Sequence, residues 1–161
     1  MKALQAAPLP LAPRSAARVA AVQALYQMDL AATDLNAVIA EFEAFRFGAN
    51  AEDKAVADAD RDFFRSLVRG VVRRQREIDP LIDQQLAEGW RLTRIDSILR
   101  AILRAGTLEL IERKDVPARV VITEYVNTAH AFLGEDEPRV VNGVLDKLAR
   151  RFRSTELGGA A

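Results

Sequence analysis

The chain contains no cysteine, which excludes disulfides and thiolate metal sites and fits a reducing cytoplasm. It has one histidine, His130, too few for an ordinary zinc centre. Glycine and proline are sparse, and three of the six prolines crowd into the N-terminal MKALQAAPLPLAP, where they interrupt the apolar run a signal peptide needs. Nowhere do about 18 apolar residues follow one another, so no membrane-spanning helix is expected. A glycine-rich phosphate loop, a metal-ligand spacing and a nucleophile motif are all missing as well. These absences weigh against an enzyme, and no cofactor is expected.

What is present is a chain of 161 residues, half of them hydrophobic, long enough for one domain with a real core. Strand signals are scarce and helical periodicity runs almost throughout. A Pro- and Ala-rich arm, residues 1 to 13, is expected to be disordered. Helices are expected over about 14–31, over 34–47 with Asp34 as cap, and over 59–78, with a polar connection between the last two. Asp79-Pro80 then reads as a break before a short helix at 80–89. A long apolar helix over 93–113, another from Pro117 to Leu133 and a last one from about Pro138 complete the set, with a flexible tail from Ser154. Six or seven helices with short connections predict an all-α bundle.

The net charge is zero, which argues against indiscriminate nucleic-acid binding, yet charge is segregated along the chain. Residues 29–60 are strongly acidic, whereas 61–76 hold six arginines and one aspartate. All but four of the 23 basic residues are arginine, the side chain suited to bidentate contacts, although a GC-rich genome produces the same bias. In the third helix Arg61, Arg65, Arg69, Arg73 and Arg76 share one face. That face reads as solvated and paired with the acidic segment before it, with phosphate binding as the alternative. In the long fifth helix Ile98, Leu99, Ile102 and Gly106 fall on the core side, with Arg100, Arg104 and Thr107 opposite. Glu109 falls toward the apolar side, where a carboxylate needs an arginine from another helix unless it meets a partner protein. His130, on the flank of its helix, reads first as an exposed polar residue.

The stretch DEPRVVNGVLDKLARRF, 136–152, holds a contradiction. Asn142-Gly143 is a strong turn signal, yet Val141, Val144, Leu145, Leu148 and Phe152 recur at helical spacing around it. The pair therefore sits inside a helix. Gly143 lies almost opposite the apolar stripe, so the core does not explain its missing side chain. Something outside has reason to come close.

AVQALYQMD at 21–29, ILRAGTLEL at 102–110, DVPARVVITE at 115–124 and above all EDEPRVVNGVLDKLA at 135–149 resemble the bacterial transcription antitermination family NusB. The similarity runs from about Arg14 to Phe152. The resemblance implies two packed helical subdomains and no catalysis. It implies binding of the boxA element of ribosomal RNA leader transcripts together with the ribosomal protein NusE, the pair recruiting an antitermination complex to RNA polymerase. By the same resemblance, the RNA-binding candidates are Lys2, Arg14, Arg18, Tyr26, Arg139, Asn142 and Gly143. Arginines and an aromatic suit single-stranded RNA, which is held by phosphate contacts and stacking. Asn142 suits either a base edge or a buried inter-helix bond, and the buried bond is favoured. The partner-binding candidates are Arg100, Arg104, Leu108 and Asp136. The chain departs from the family pattern at Ser15, Ala16 and Ala17, where relatives are more basic, and at Val140, where many carry phenylalanine. Two other readings compete: a homodimer with its arginines masked, and the RNA-binding domain of an RNA cytosine methyltransferase. The second expects a cofactor-binding α/β domain for which no length remains after residue 153.

Overall fold

The computed structural model describes residues 10–157. It contains six α-helices: α1 (Pro13–Ala31), α2 (Leu35–Glu41), α3 (Arg61–Gln85), α4 (Ser97–Glu112), α5 (Ala118–Phe132) and α6 (Glu137–Phe152). There is no strand among the described residues. The expected all-α class is therefore observed. The six helices share one hydrophobic core, and α4 packs against α1, α3, α5 and α6. No described helix is long and apolar enough to cross a membrane.

Local chemistry sets most boundaries. Asp34 accepts from the amides of Asn36 and Ala37, Asp60 from that of Phe63, and Asp96 from those of Ile98 and Leu99, each capping a helix start. Pro117 and Pro138 stand where the first turn needs no backbone donor. Residues 42–46 continue α2 as a wider π-helical turn rather than as α-helix. Phe42, the first residue of that turn, and Phe47, just after it, both reach Phe64, one stacked at 5.4 Å and the other edge-on at 5.0 Å. Phe45 between them is 74% exposed.

Three expectations about elements are corrected. Asp79-Pro80 does not end the third helix: α3 runs through it to Gln85. Proline removes one backbone donor, but Ile78 and Ile82 on either side are fully buried, and Asp79 receives both arms of Arg104 at 2.9 Å. Tertiary packing thus overrides the local penalty. The long fifth helix begins at Ser97, because residues 90–95 form turns in which the amides of Arg94 and Ile95 donate to Arg91 O. The connection at 48–60 is less polar than expected, since Ala51, Ala55, Val56 and Ala59 are buried. Of the arm expected at 1–13, residues 10–13 are described and the rest lie outside the described residues; the Leu11 amide donates to Ala55 O, its side chain packs against the core, and Pro13 is the first residue of α1.

Candidate nucleic-acid interface

The N-terminal arginines meet opposite fates. Arg14, in the first turn of α1, is exposed, reaches Asp115 at 3.4 Å and stacks over the Phe63 ring. Arg18, one turn further, is 4% exposed. It holds Glu109 with two bonds, of 2.7 and 3.0 Å, and Glu124 with a third, of 2.7 Å. The Tyr125 hydroxyl also donates to Glu109, at 2.8 Å. Burial alone would lower the Arg18 pKa, but its bonds to Glu109 raise it, and the guanidinium stays charged. Burial followed by the nearby Glu109 charge pushes the Tyr125 hydroxyl well above its usual value, so it remains a donor. Glu109 is therefore a structural carboxylate, fully buried, and Arg18 is the arginine it was expected to need. The donors of Arg18, expected to contact RNA, are thus engaged inside the fold.

The partner candidates on α4 are also engaged within the fold. Arg100 and Arg104 do not look outward: Asp29 of α1 pairs with both, and Asp79 of α3 with Arg104. Leu108 is 1% exposed, its methyls pressed toward Gly70. Residues 101–110 are buried without exception, so α4 has no outer face along this stretch. Asp136 does face solvent, at the start of α6. Tyr26 is half-buried against the core, and Lys2 lies outside the described residues.

The arginine face of α3 is partly paired, and among the described residues only Arg65 forms its ion pair with the acidic segment before it. Arg65 pairs with Glu43 and Asp62, and the Arg61 guanidinium donates to Glu43 O at 3.0 Å. Arg73 and Arg74 share Glu112, whose carboxyl, despite the opposing cost of burial, is held below its usual range by these two arginines. Arg69 and Arg76 are exposed and have no ion pair among the described residues.

Three expected residues do come together. Arg139, Asn142 and Gly143 line an open trough between α5 and α6, of about 740 Å³, with His130, Glu135 and Pro138. α5 and α6 pack on each other, with Val121, Tyr125, Val141 and Leu145 buried. Asn142 is exposed there, with no inter-helix hydrogen bond among the described residues, so the favoured buried bond is not formed. Its amide is presented to the trough. Gly143 is open as well: a Cβ built on it would meet nothing within 4 Å. On the other flank of α5, the exposed Asn127 borders a second, mainly apolar hollow of about 150 Å³ with Ser15 and Val19 of α1, where Ser15 bonds Glu124. The two hollows thus present hydroxyl and amide groups at Ser15 and Asn127, and imidazole, guanidinium and amide groups at His130, Arg139 and Asn142. Amides and guanidinium groups of this kind bind base edges and phosphates.

Helical proteins built on one core, with an open polar depression between two helices, form the class to which this chain belongs on its geometry. The chain belongs to the NusB family, whose model matches residues 15–150. The transcription antitermination protein NusB of Rhodopseudomonas palustris strain TIE-1 is 58% identical over 143 residues, covering 89% of this chain and 82% of that protein. That of Allorhizobium ampelinum is 57% identical over 140 residues, covering 87% and 88%. Among solved structures, T. maritima NusB superposes with a TM-score of 0.75 at 30% identity, covering 91% of this chain and 98% of that one. A chain of the crystal structure of the antitermination factors NusB and NusE in complex with dsRNA superposes with a TM-score of 0.70 at 27% identity, covering 86% and 96%.

Sequence reasoning missed Pro138 and Glu135 as trough walls and treated His130 as a lone polar residue. Helical spacing alone carries part of that signal, since His130 and Val126 lie four apart on α5. Which flank of α5 meets α6 depends on packing and is not contained in the spacing.

Proposed function

We propose that the chain is a non-enzymatic RNA-binding adaptor of transcription antitermination. It binds a boxA-type single-stranded element of ribosomal RNA leader transcripts together with the ribosomal protein NusE, and the pair recruits an antitermination complex to RNA polymerase. The observation that carries this reading is the likeness, over most of both chains, to a NusB solved with NusE and RNA. Supporting it is the trough, where Arg139 and Asn142 project beside a backbone that Gly143 leaves uncovered. On this reading Arg139 and Arg14 take phosphates, and Asn142 takes a base edge. Arg18 acts through its neighbours, holding the first turn of α1 against α4 and α5 so that Arg14 is presented. Glu109 and Tyr125, the most deeply buried titratable pair, are enclosed and face no substrate.

The test is fluorescence anisotropy of a labelled boxA-like RNA titrated with the chain, alone and with purified NusE, at two salt concentrations. Affinity that rises with NusE and falls with salt is expected. Arg14→Ala combined with Arg139→Ala should weaken it about tenfold or more. No binding in either condition would refute the reading, and a stable dimer indifferent to RNA would favour the masked homodimer instead.

A further inference from the structure

Two open depressions meet on α6. The first is the trough against α5; the second lies on the other side of the helix, a groove of about 250 Å³ lined by Trp90, Val140, Val144 and Lys147, besides Arg139 and Gly143. Arg139 and Gly143 border both. With no side chain at 143 and no neighbour within 4 Å of where one would stand, the helix is lowest between them.

The second groove has a distinctive chemistry. Trp90 is the only tryptophan of the chain, in the turn after Gly89, whose φ of 93° calls for glycine. The Trp90 amide donates to Ala87 O at 2.9 Å and the ring is half-buried against the core. Its indole N–H has no partner among the described residues, although tryptophan at such a boundary usually finds one. Lys147 and Arg139 are exposed on the rim, and neither has an ion pair among the described residues. No carboxylate lines the groove. Two unneutralised cations fit an anionic occupant, and an aromatic ring with a free donor fits one that carries flat heterocycles.

We propose that this groove is a stacking subsite for one base of single-stranded RNA. Trp90 supplies the ring, Arg139 and Lys147 take the flanking phosphates, and the strand reaches the groove from the trough by crossing α6 at Gly143. The inference rests on the RNA-binding reading above and adds to it a residue and a direction for the strand. Val140, in the same groove, offers only aliphatic surface, so the stacking falls to Trp90.

The single tryptophan is its own probe. The full chain is titrated with a short single-stranded RNA while anisotropy of the labelled RNA and tryptophan emission are followed together. Emission is expected to fall in proportion to RNA bound. Trp90→Phe should keep affinity within about threefold, and Trp90→Leu should lose roughly five- to a hundredfold, the range for one stacked base. Lys147→Ala should weaken binding and flatten its salt dependence. Circular dichroism melts establish that each variant folds; should Trp90→Leu fail to fold, the emission of the unaltered chain and Trp90→Phe decide. RNA binding with unmoved emission, or with a folded Trp90→Leu as tight as the parent, overturns the subsite and leaves the RNA reading intact. Absence of RNA binding overturns both. Emission that responds to NusE and not to RNA assigns the groove to a protein and overturns the subsite.

Discussion

α4 and α6 are equally long, sixteen residues each, and each carries an arginine and, further along, a glycine. In α4 every such residue is enclosed. Arg104 is held by Asp29 and Asp79, and a Cβ on Gly106 would meet Leu145 Cδ1 at 2.8 Å and Tyr125 Cδ2 at 3.3 Å. In α6 the corresponding residues face outward, with Arg139 in the trough and open space beside Gly143. Residue type does not distinguish the two helices; the number of helices around each does. Four neighbours surround α4, so its glycine serves close packing and its arginines and glutamate serve internal pairing. The outer face of α6 has no such cover, and the same residue types there are free to meet a ligand.

The sharpest way to break this comparison is to remove the charge at the centre of α4. Glu109→Ala leaves Arg18 buried without its bidentate partner and the Tyr125 hydroxyl without an acceptor. A loss of about 3–5 kcal/mol is expected in urea denaturation, as for other broken buried pairs. A loss below about 1 kcal/mol would show that the network contributes little. Next come the two glycines, mutated alike. Gly106→Ala forces Leu145 or Tyr125 to move inside a full core and should cost about 1–3 kcal/mol, less a propensity gain of up to about 1 kcal/mol. Gly143→Ala meets no atom and should stabilise by up to about 1 kcal/mol while weakening RNA binding. Equal changes in melting temperature for the two would contradict the contrast.

A smaller effect separates the helices by pH. The Tyr125 pKa is raised in the folded chain, first by burial and then by Glu109, so the folded state keeps a proton that the unfolded chain releases above its ordinary value of 10.0. This contribution is fully present below that pH and is lost as pH rises beyond it. Melting temperature should therefore decline on the alkaline side, and Tyr125→Phe should flatten the decline while lowering stability throughout. The smallest effect is expected on α3. Arg65 is tied to Glu43 and Asp62, so alanine at Arg65 and Arg69 together should leave RNA affinity within a factor of about two. A tenfold loss would move the binding site to that face.

Much of the fold could be read from periodicity. The helical stripe of Val141, Val144, Leu145 and Leu148 overruled the Asn142-Gly143 turn signal, and the structure has α6 running through both. The outward position of Gly143 followed from the same wheel. Glu109 announced its need for an arginine, but nothing local in the chain could say that the arginine is Arg18, which is 91 positions away in sequence. Arg18 was named for RNA through the family resemblance, and neither that nor helical spacing shows which carboxylates it holds across the fold. The same is true of the ion pairs of Arg100 and Arg104. Pro80 misled in the opposite direction: its local preference is real, and packing of Ile78 and Ile82 outweighs it. Trp90 escaped notice because it stands in a turn, where no period applies.

The wide turn at 42–46 bears on how such chains change length over generations. A π-helical turn holds one residue more than the α turn it replaces. Phe42 and Phe47 keep their places against Phe64 while the surplus is taken up by a segment whose Phe45 points to solvent. Deleting Phe45 should let the backbone close into an ordinary helix, so this exposed segment is where the loss of one residue is expected to cost the bundle least.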